Sequence, residues 1–146
     1  MERMRVLAAA GAAVAFAGAI GSVSAAAQDF AYLSSNLFGD YVDGGGAGDA
    51  EGDFNGEADL AAGRLCYYLE FEGLDDADGV AIHQAAERTE GPQVLSLTLP
   101  AAPGEEVCVT VEPALLGAIA QDPAAYYLLV RNPSHPNGAI RGQFDG

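Results

Sequence analysis

The chain has 146 residues, and its 21 aspartate and glutamate residues against six arginines and no lysine give a formal net charge of −15. So acidic a chain repels nucleic acids and anionic lipid surfaces, which excludes nucleic acid as a partner. The length fits a single domain, because two domains would each be too small to form a stable core.

Residues 1–27 have the pattern of a secretory signal peptide. Two arginines precede an uncharged run from Val6 to Ile20, and the small residues at Ser24–Ala27 suit cleavage. The alternative is a membrane anchor, since the uncharged stretch is long enough to span a bilayer. Alanine and glycine dominate it and gain little from hydrocarbon, so we favour the signal peptide. We therefore expect one mature domain at 28–146, secreted or periplasmic, with no membrane insertion after leader removal.

Beyond the leader, the pattern predicts short β-strands separated by turns. A first strand is predicted at Phe30–Leu37, and a weak one at Asp53–Ala58. Between them, Asp43–Gly52 is nearly all glycine, alanine and acid, which predicts a loop. Apolar and polar residues alternate along Leu65–Glu72, which makes it the strongest strand of this half. The further predicted strands are Val80–His83, Val94–Leu99, Glu106–Glu112, Tyr126–Val130 and Ala139–Phe144.

One segment changes period, because the apolar residues of Pro113–Gln121 fall at helical spacing. The last two strands form a hairpin around Asn132–Gly138, whose prolines, asparagines and glycine suit a turn. Seven or eight short strands with one short helix predict an all-β fold. We expect a Greek-key-like β-sandwich or a flattened barrel.

The two cysteines, Cys66 and Cys108, lie in two of the stronger predicted strands. Thiols of an exported protein usually pair in an oxidising compartment, so we predict one disulfide between them. A metal or redox role is the alternative, but the chain has no Cys-x-x-Cys spacing.

Eight short segments follow one another in a recognisable order along the mature chain. They are Gly63–Tyr67, Gly73–Leu74, Ala81–His83, Gly91–Val94, Val107–Cys108, Leu115–Leu116, Pro123–Tyr127 and Asn137–Gln143. In this order they resemble the CHRD domain, the module named for chordin and also found in exported microbial proteins. The resemblance implies a sandwich-like all-β fold similar in architecture to copper-zinc superoxide dismutase. It implies no established catalytic activity.

The chain departs from that family pattern at two histidine positions. Ala81–His83 stands where such domains often carry His-x-His, and Arg131 stands where a further histidine often occurs. A copper or zinc enzyme needs three or four nitrogen or sulfur ligands, and only His83 and His135 remain. We expect His83 to be a strand-end residue and His135 a solvated turn residue. Ser134 beside His135 does not make a catalytic triad, because adjacency in a turn does not place a base across from a nucleophile.

Two groups of charged residues are weaker candidates. Asp49, Glu51 and Asp53 place carboxylates at alternate positions beside glycines, which suits calcium; a solvated acidic loop is the simpler interpretation. Arg131 and Arg141 lie in the closing hairpin and form either an anion-binding pair or local ion pairs with nearby carboxylates. We favour the local ion pairs, since carboxylates far outnumber arginines.

We therefore predict no catalytic residues and no cofactor. The leading hypothesis is an exported, non-enzymatic module that binds an unknown extracellular protein or a cell-surface or matrix component. The alternatives are a metal-dependent enzyme like copper-zinc superoxide dismutase and a calcium-stabilised adhesion module.

Overall fold

The computed structural model describes residues 29–146 without a break, together with 11–15, 18 and 21–22. Most of the predicted signal peptide at 1–27 therefore lies outside the described residues, and it stays a prediction. No helix in the described part of the chain is both long and apolar enough to cross a membrane.

Eight antiparallel strands form one sheet that carries the domain. The strand order is β5-β4-β7-β8-β1-β2-β3-β6. In the described part of the chain, one α-helix, α1, and one 3-10 turn lie between β6 and β7, and a second 3-10 turn lies between β1 and β2. The strands are β1 (Phe30–Phe38), β2 (Glu51–Asp59), β3 (Arg64–Glu72), β4 (Gly79–Gln84), β5 (Gln93–Leu97), β6 (Val107–Thr110), β7 (Tyr126–Asn132) and β8 (His135–Gln143); the helices are α1 (Pro113–Gln121), Gly39–Tyr41 and Pro123–Ala125.

The sheet curls into a nearly closed, flattened barrel, which confirms the predicted fold class. Tyr67 of β3 shows the curvature directly. Its hydroxyl donates to the backbone oxygen of Thr98 at 2.6 Å and accepts from the backbone nitrogen of Thr98 at 2.9 Å. Thr98 directly follows β5, which lies at the opposite end of the strand order. The largest fully buried side chains fill the interior: Leu33, Leu37, Phe54, Leu65, Tyr67, Ile82, Val111, Leu116, Ile119, Leu128, Ile140 and Phe144.

Strand β2 is longer and more central than the sequence predicted. It pairs along its whole length with β1 on one side and with β3 on the other. Glu51 and Gly52, which were predicted to belong to a loop, begin this strand. Its inward positions are mostly glycine and alanine, which have low strand propensity, so packing by the neighbouring strands decides the conformation. The outward positions are acidic or amide side chains, which keeps one face of the strand in water.

The closing hairpin has a tighter turn than predicted. Strand β8 begins at His135, so only Pro133 and Ser134 lie between the strands. The side-chain oxygen of Asn132 accepts a hydrogen bond from the backbone nitrogen of His135 at 2.9 Å and closes the turn. His135 is consequently half-buried at the start of a strand, not a solvated turn residue. The predicted turn was too long because proline and asparagine were assigned to it, while a register shift after Val130 lets the strand accommodate them.

Candidate functional site

The predicted disulfide is confirmed. Cys66 of β3 and Cys108 of β6 lie directly opposite each other, with their sulfur atoms 2.04 Å apart. Their sequence separation of 42 residues corresponds to about 4 kcal/mol of stabilisation in the chain-entropy model. Glu106 lies beside them, and this trio is the one cluster of potential metal ligands within the described residues. Its two sulfur atoms are joined to each other, so they are not free thiolate ligands.

The three candidate calcium ligands do not converge. Asp49 lies in a turn before β2, whereas Glu51 and Asp53 lie on the outer face of that strand. Alternate positions of a strand are about 7 Å apart, too far for both carboxylates to share one ion without bending the chain. No ligand cluster contains them in the part of the chain that the structure describes. Calcium binding stays a prediction without support from this geometry.

The outer face of β1, β2 and β3 combines exposed tyrosines with carboxylates. The side chains of Tyr32 and Tyr68 are 78% and 45% exposed. A hydrogen bond to Glu57, and then its negative charge, raise the pKa of the Tyr32 hydroxyl. Glu106 raises the pKa of Tyr68 in the same way. Both tyrosines therefore keep their protons at neutral pH.

These tyrosines border a shallow depression of about 620 Å³. We call it the tyrosine face, and its polar side chains are those of Tyr32, Ser34, Asn55, Glu57, Arg64, Tyr68 and Glu106. The carboxylates outnumber the single arginine, which gives the tyrosine face a negative charge.

Arg141 of β8 is a buried cation in the closing hairpin. Its side chain is 2% exposed, and its guanidinium lies 3.5 Å from the centroid of the Tyr127 ring. It donates to the backbone oxygen of Ala86 at 3.0 Å and to the side-chain oxygen of Gln143 at 3.4 Å. Burial lowers the pKa of Arg141, and the surrounding negative groups partly oppose that effect.

His83 packs on the same aromatic ring. The imidazole and the ring of Tyr127 are stacked, with centroids 5.1 Å apart. The Nδ1 atom of His83 lies 2.9 Å from the backbone oxygen of Gly91; since a carbonyl can only accept, Nδ1 carries the proton. His135 instead contacts Asn132 in the hairpin turn. The two histidines share no ligand cluster among the described residues.

Arg131 has a different environment from Arg141. It is half-buried on β7 and lies over Gly79, where even a Cβ atom would come within 2.8 Å of its guanidinium. Neither arginine forms an ion pair, because the one salt bridge in the described part of the chain joins Arg88 to Glu87. The local ion pairs that we favoured from the sequence are therefore not formed, and anion binding by the two arginines stays a prediction.

A pocket of about 240 Å³ lies beside Arg141. Arginine and carboxylate side chains line it in equal number: Arg88, Arg141, Glu87 and Asp145, together with Asn36, Phe38, Tyr41 and Gln143. Charge balance of this kind does not single out an anion or a cation as ligand.

Comparison with known proteins identifies one family. The family model described as the CHRD domain matches residues 33–144, which is most of the chain and nearly all of the strands. Neither the curated proteins nor the solved structures contain a significant match.

Proposed function

The chain belongs to the CHRD domain family, and we propose that it is an exported, non-enzymatic β-domain that binds another protein or a component of the cell surface or matrix. The disulfide between Cys66 and Cys108 supports a secreted or periplasmic location, since such bonds persist in oxidising compartments. The exposed tyrosine face is the main structural support for the proposed binding role.

Tyrosine is the residue that binding surfaces favour, because it offers a large contact area at a low cost in side-chain entropy. Tyr32 and Tyr68 can serve this role, because both rings are exposed and both line the same depression as Glu57 and Glu106. The negative charge of the face favours a partner with a basic surface.

A capture experiment tests this function. The purified domain is immobilised and exposed to the native extracellular fraction, in parallel with the double variant Tyr32→Ala, Tyr68→Ala. We expect the wild-type domain to retain a defined component that moderate salt releases, and the double variant to lose most of it. Tyr41→Ala is the matched control, because Tyr41 is also exposed but lies outside the tyrosine face.

Two results would contradict the proposal. Equal retention by the wild-type domain and the double variant would remove the tyrosine face as the binding surface. Stoichiometric copper or zinc in protein purified without added metal would contradict the non-enzymatic role and favour the metal-dependent enzyme.

A further inference from the structure

Arg141 is a buried cation without a counterion, and it lines the pocket of about 240 Å³ beside it. Both of its hydrogen bonds, to Ala86 and Gln143, come from the same nitrogen atom, Nη2. In the described part of the chain, no carboxylate forms an ion pair with it. A buried charge that lacks an opposite charge costs free energy, so a ligand of opposite charge would stabilise this arrangement. We call the cavity the Arg141 pocket.

Two donor atoms of the Arg141 guanidinium remain for such a ligand. Among the described residues, Nε and Nη1 have no hydrogen-bond partner. The hydroxyl of Ser35 is the one fully enclosed polar side-chain atom there that lacks a partner, so Nε and Nη1 are not sealed from solvent. The ring of Tyr127 covers one face of the guanidinium. Because Arg141 lines the pocket, the two donors are accessible from it.

The charges of the Arg141 pocket disfavour a ligand that carries one sign of charge alone. Its lining has two cations, Arg88 and Arg141, and two carboxylates, Glu87 and Asp145. A simple anion is repelled by the carboxylates, and a simple cation is repelled by the arginines. A molecule with one group of each sign meets an opposite charge for both.

Two aromatic rings give the pocket an apolar wall. Phe38 and Tyr41 both line it, and their rings meet edge to face with centroids 4.9 Å apart. The volume lies below the roughly 300–1,000 Å³ that is usual for drug-sized ligands. The fitting ligand is therefore small, doubly charged and partly apolar.

We propose that the Arg141 pocket binds a free α-amino acid with an aromatic or large aliphatic side chain, in its zwitterionic form. The ligand carboxylate accepts hydrogen bonds from Arg141, and its ammonium group faces Glu87 and Asp145. The ligand side chain packs on Phe38 and Tyr41. The pocket shares no lining residue with the tyrosine face, so this binding activity goes beyond the proposed function.

Titration calorimetry with phenylalanine and two analogues tests the pairing of charges. Phenylpropionate lacks the ammonium group and phenethylamine lacks the carboxylate, while both keep the aromatic ring. We expect phenylalanine to bind, and each analogue to bind at least about tenfold more weakly, because each leaves charged groups of the pocket without a partner. Glycine keeps both charges but lacks the ring, and it should also bind more weakly than phenylalanine.

Nuclear magnetic resonance locates the site in the wild-type protein, without a substitution that could unfold it. We expect phenylalanine to shift the Nε–H signal of Arg141, because the ligand carboxylate contacts that guanidinium. The Nε–H signal of Arg64, which lines the tyrosine face, should stay unchanged. Phenethylamine at the same concentration should shift the Arg141 signal less, since it has no carboxylate.

A charge-removal variant tests the ammonium side of the pocket. Glu87→Gln with Asp145→Asn should weaken phenylalanine binding at least about tenfold and strengthen binding of phenylpropionate. Both side chains are exposed, so the variant should keep its fold, which circular dichroism can verify. Glu70→Gln with Glu72→Gln is the matched control, because it removes the same charge at exposed positions outside the pocket and should leave binding unchanged.

Four results would overturn the inference: no binding of phenylalanine at millimolar concentration, equal binding of either analogue, an unshifted Arg141 signal, or equal weakening by the two double variants. Because the pocket and the tyrosine face are separate, none of these results bears on the capture experiment. The proposed function therefore stands or falls independently.

Discussion

At the scale of single residues, Arg141 is the one buried charged residue in the described part of the chain. Its neighbours are the Tyr127 ring, a backbone oxygen and a side-chain amide, with no carboxylate in direct contact. A planar guanidinium meets all three at once, because it stacks on a ring face while its donors point sideways. Arg141 thus joins β8 to the loop that contains Ala86.

Replacing Arg141 by lysine tests this role. We expect Arg141→Lys to lower the free energy of unfolding by about 1–3 kcal/mol, because an ammonium loses the stacking and the fixed hydrogen-bond geometry. Urea denaturation measures the change. Arg88→Lys is the control, since Arg88 is 72% exposed and its substitution should cost less than about 0.5 kcal/mol. Equal effects of the two substitutions would show that the stacking on Tyr127 contributes nothing.

The sequence identified Arg141 as a candidate but not its partners. Arginine is scarce in this chain, and two of its six arginines lie in the closing hairpin. Ala86, however, lies 55 positions away along the chain, and only the folded sheet brings the two together. The position of Tyr127 between His83 and Arg141 also results from strand pairing, which a local sequence pattern cannot predict.

At the scale of elements, the close approach of β1 and β8 requires a glycine at position 142. A Cβ atom at Gly142 would overlap the backbone oxygen of Asn36 and the hydroxyl of Ser35. Glycine is therefore required by close approach of the two strands, not by its backbone angles. The same two strands are joined in register at Phe38 and Arg141, so the crossing also positions Arg141.

Two glycine-to-alanine substitutions distinguish a glycine that is required by close packing from one that has space for a larger side chain. We expect Gly142→Ala to lower the free energy of unfolding by about 2 kcal/mol or more, because two strands must move apart. Gly117→Ala, in α1 with open space around it, should raise stability by about 0.5–1 kcal/mol through helix propensity. Thermal unfolding measures both. A Gly142→Ala protein as stable as the wild type would contradict the close crossing.

Most strands could be located from the sequence, whereas the ends of β2, β6 and β8 could not. β3 and the position of α1 followed from the period of their apolar residues. The sequence also predicted the strand around Cys108 as seven residues, Glu106–Glu112, whereas β6 has four. The difference arises because pairing with β3 ends at Thr110 on one side and at Val107 on the other. Local alternation does not show where a partner strand stops pairing, so the ends of β6 could not be predicted.

At the scale of the whole molecule, charge is the dominant property. The chain carries 21 carboxylates, and its described residues form a single salt bridge. Repulsion among the carboxylates therefore opposes the compact state with little local compensation. Salt weakens such repulsion, because the Debye length falls from about 30 Å at 0.01 M to about 3 Å at 1 M.

A salt titration follows from this charge distribution. We expect the melting temperature to rise by several degrees between about 0.01 M and 1 M sodium chloride, as screening removes self-repulsion. Differential scanning calorimetry measures the change, with glucose as an uncharged control solute. A melting temperature that does not rise with salt would indicate that the carboxylates are too far apart to repel one another significantly.

The neighbouring position of β1 and β8 has a consequence for how the domain acquires its structure. β1 is the first strand to be synthesised and β8 the last, yet β1 lies between β2 and β8. Asp145 also donates its backbone N–H to the oxygen of Ser34 at 2.9 Å. The barrel therefore cannot be completed on the ribosome until the final strand has emerged, and such non-local pairing is slow. Folding of this barrel therefore depends on the pairing of its first and last described strands, so we expect it to be slower than the folding of a domain built from local contacts.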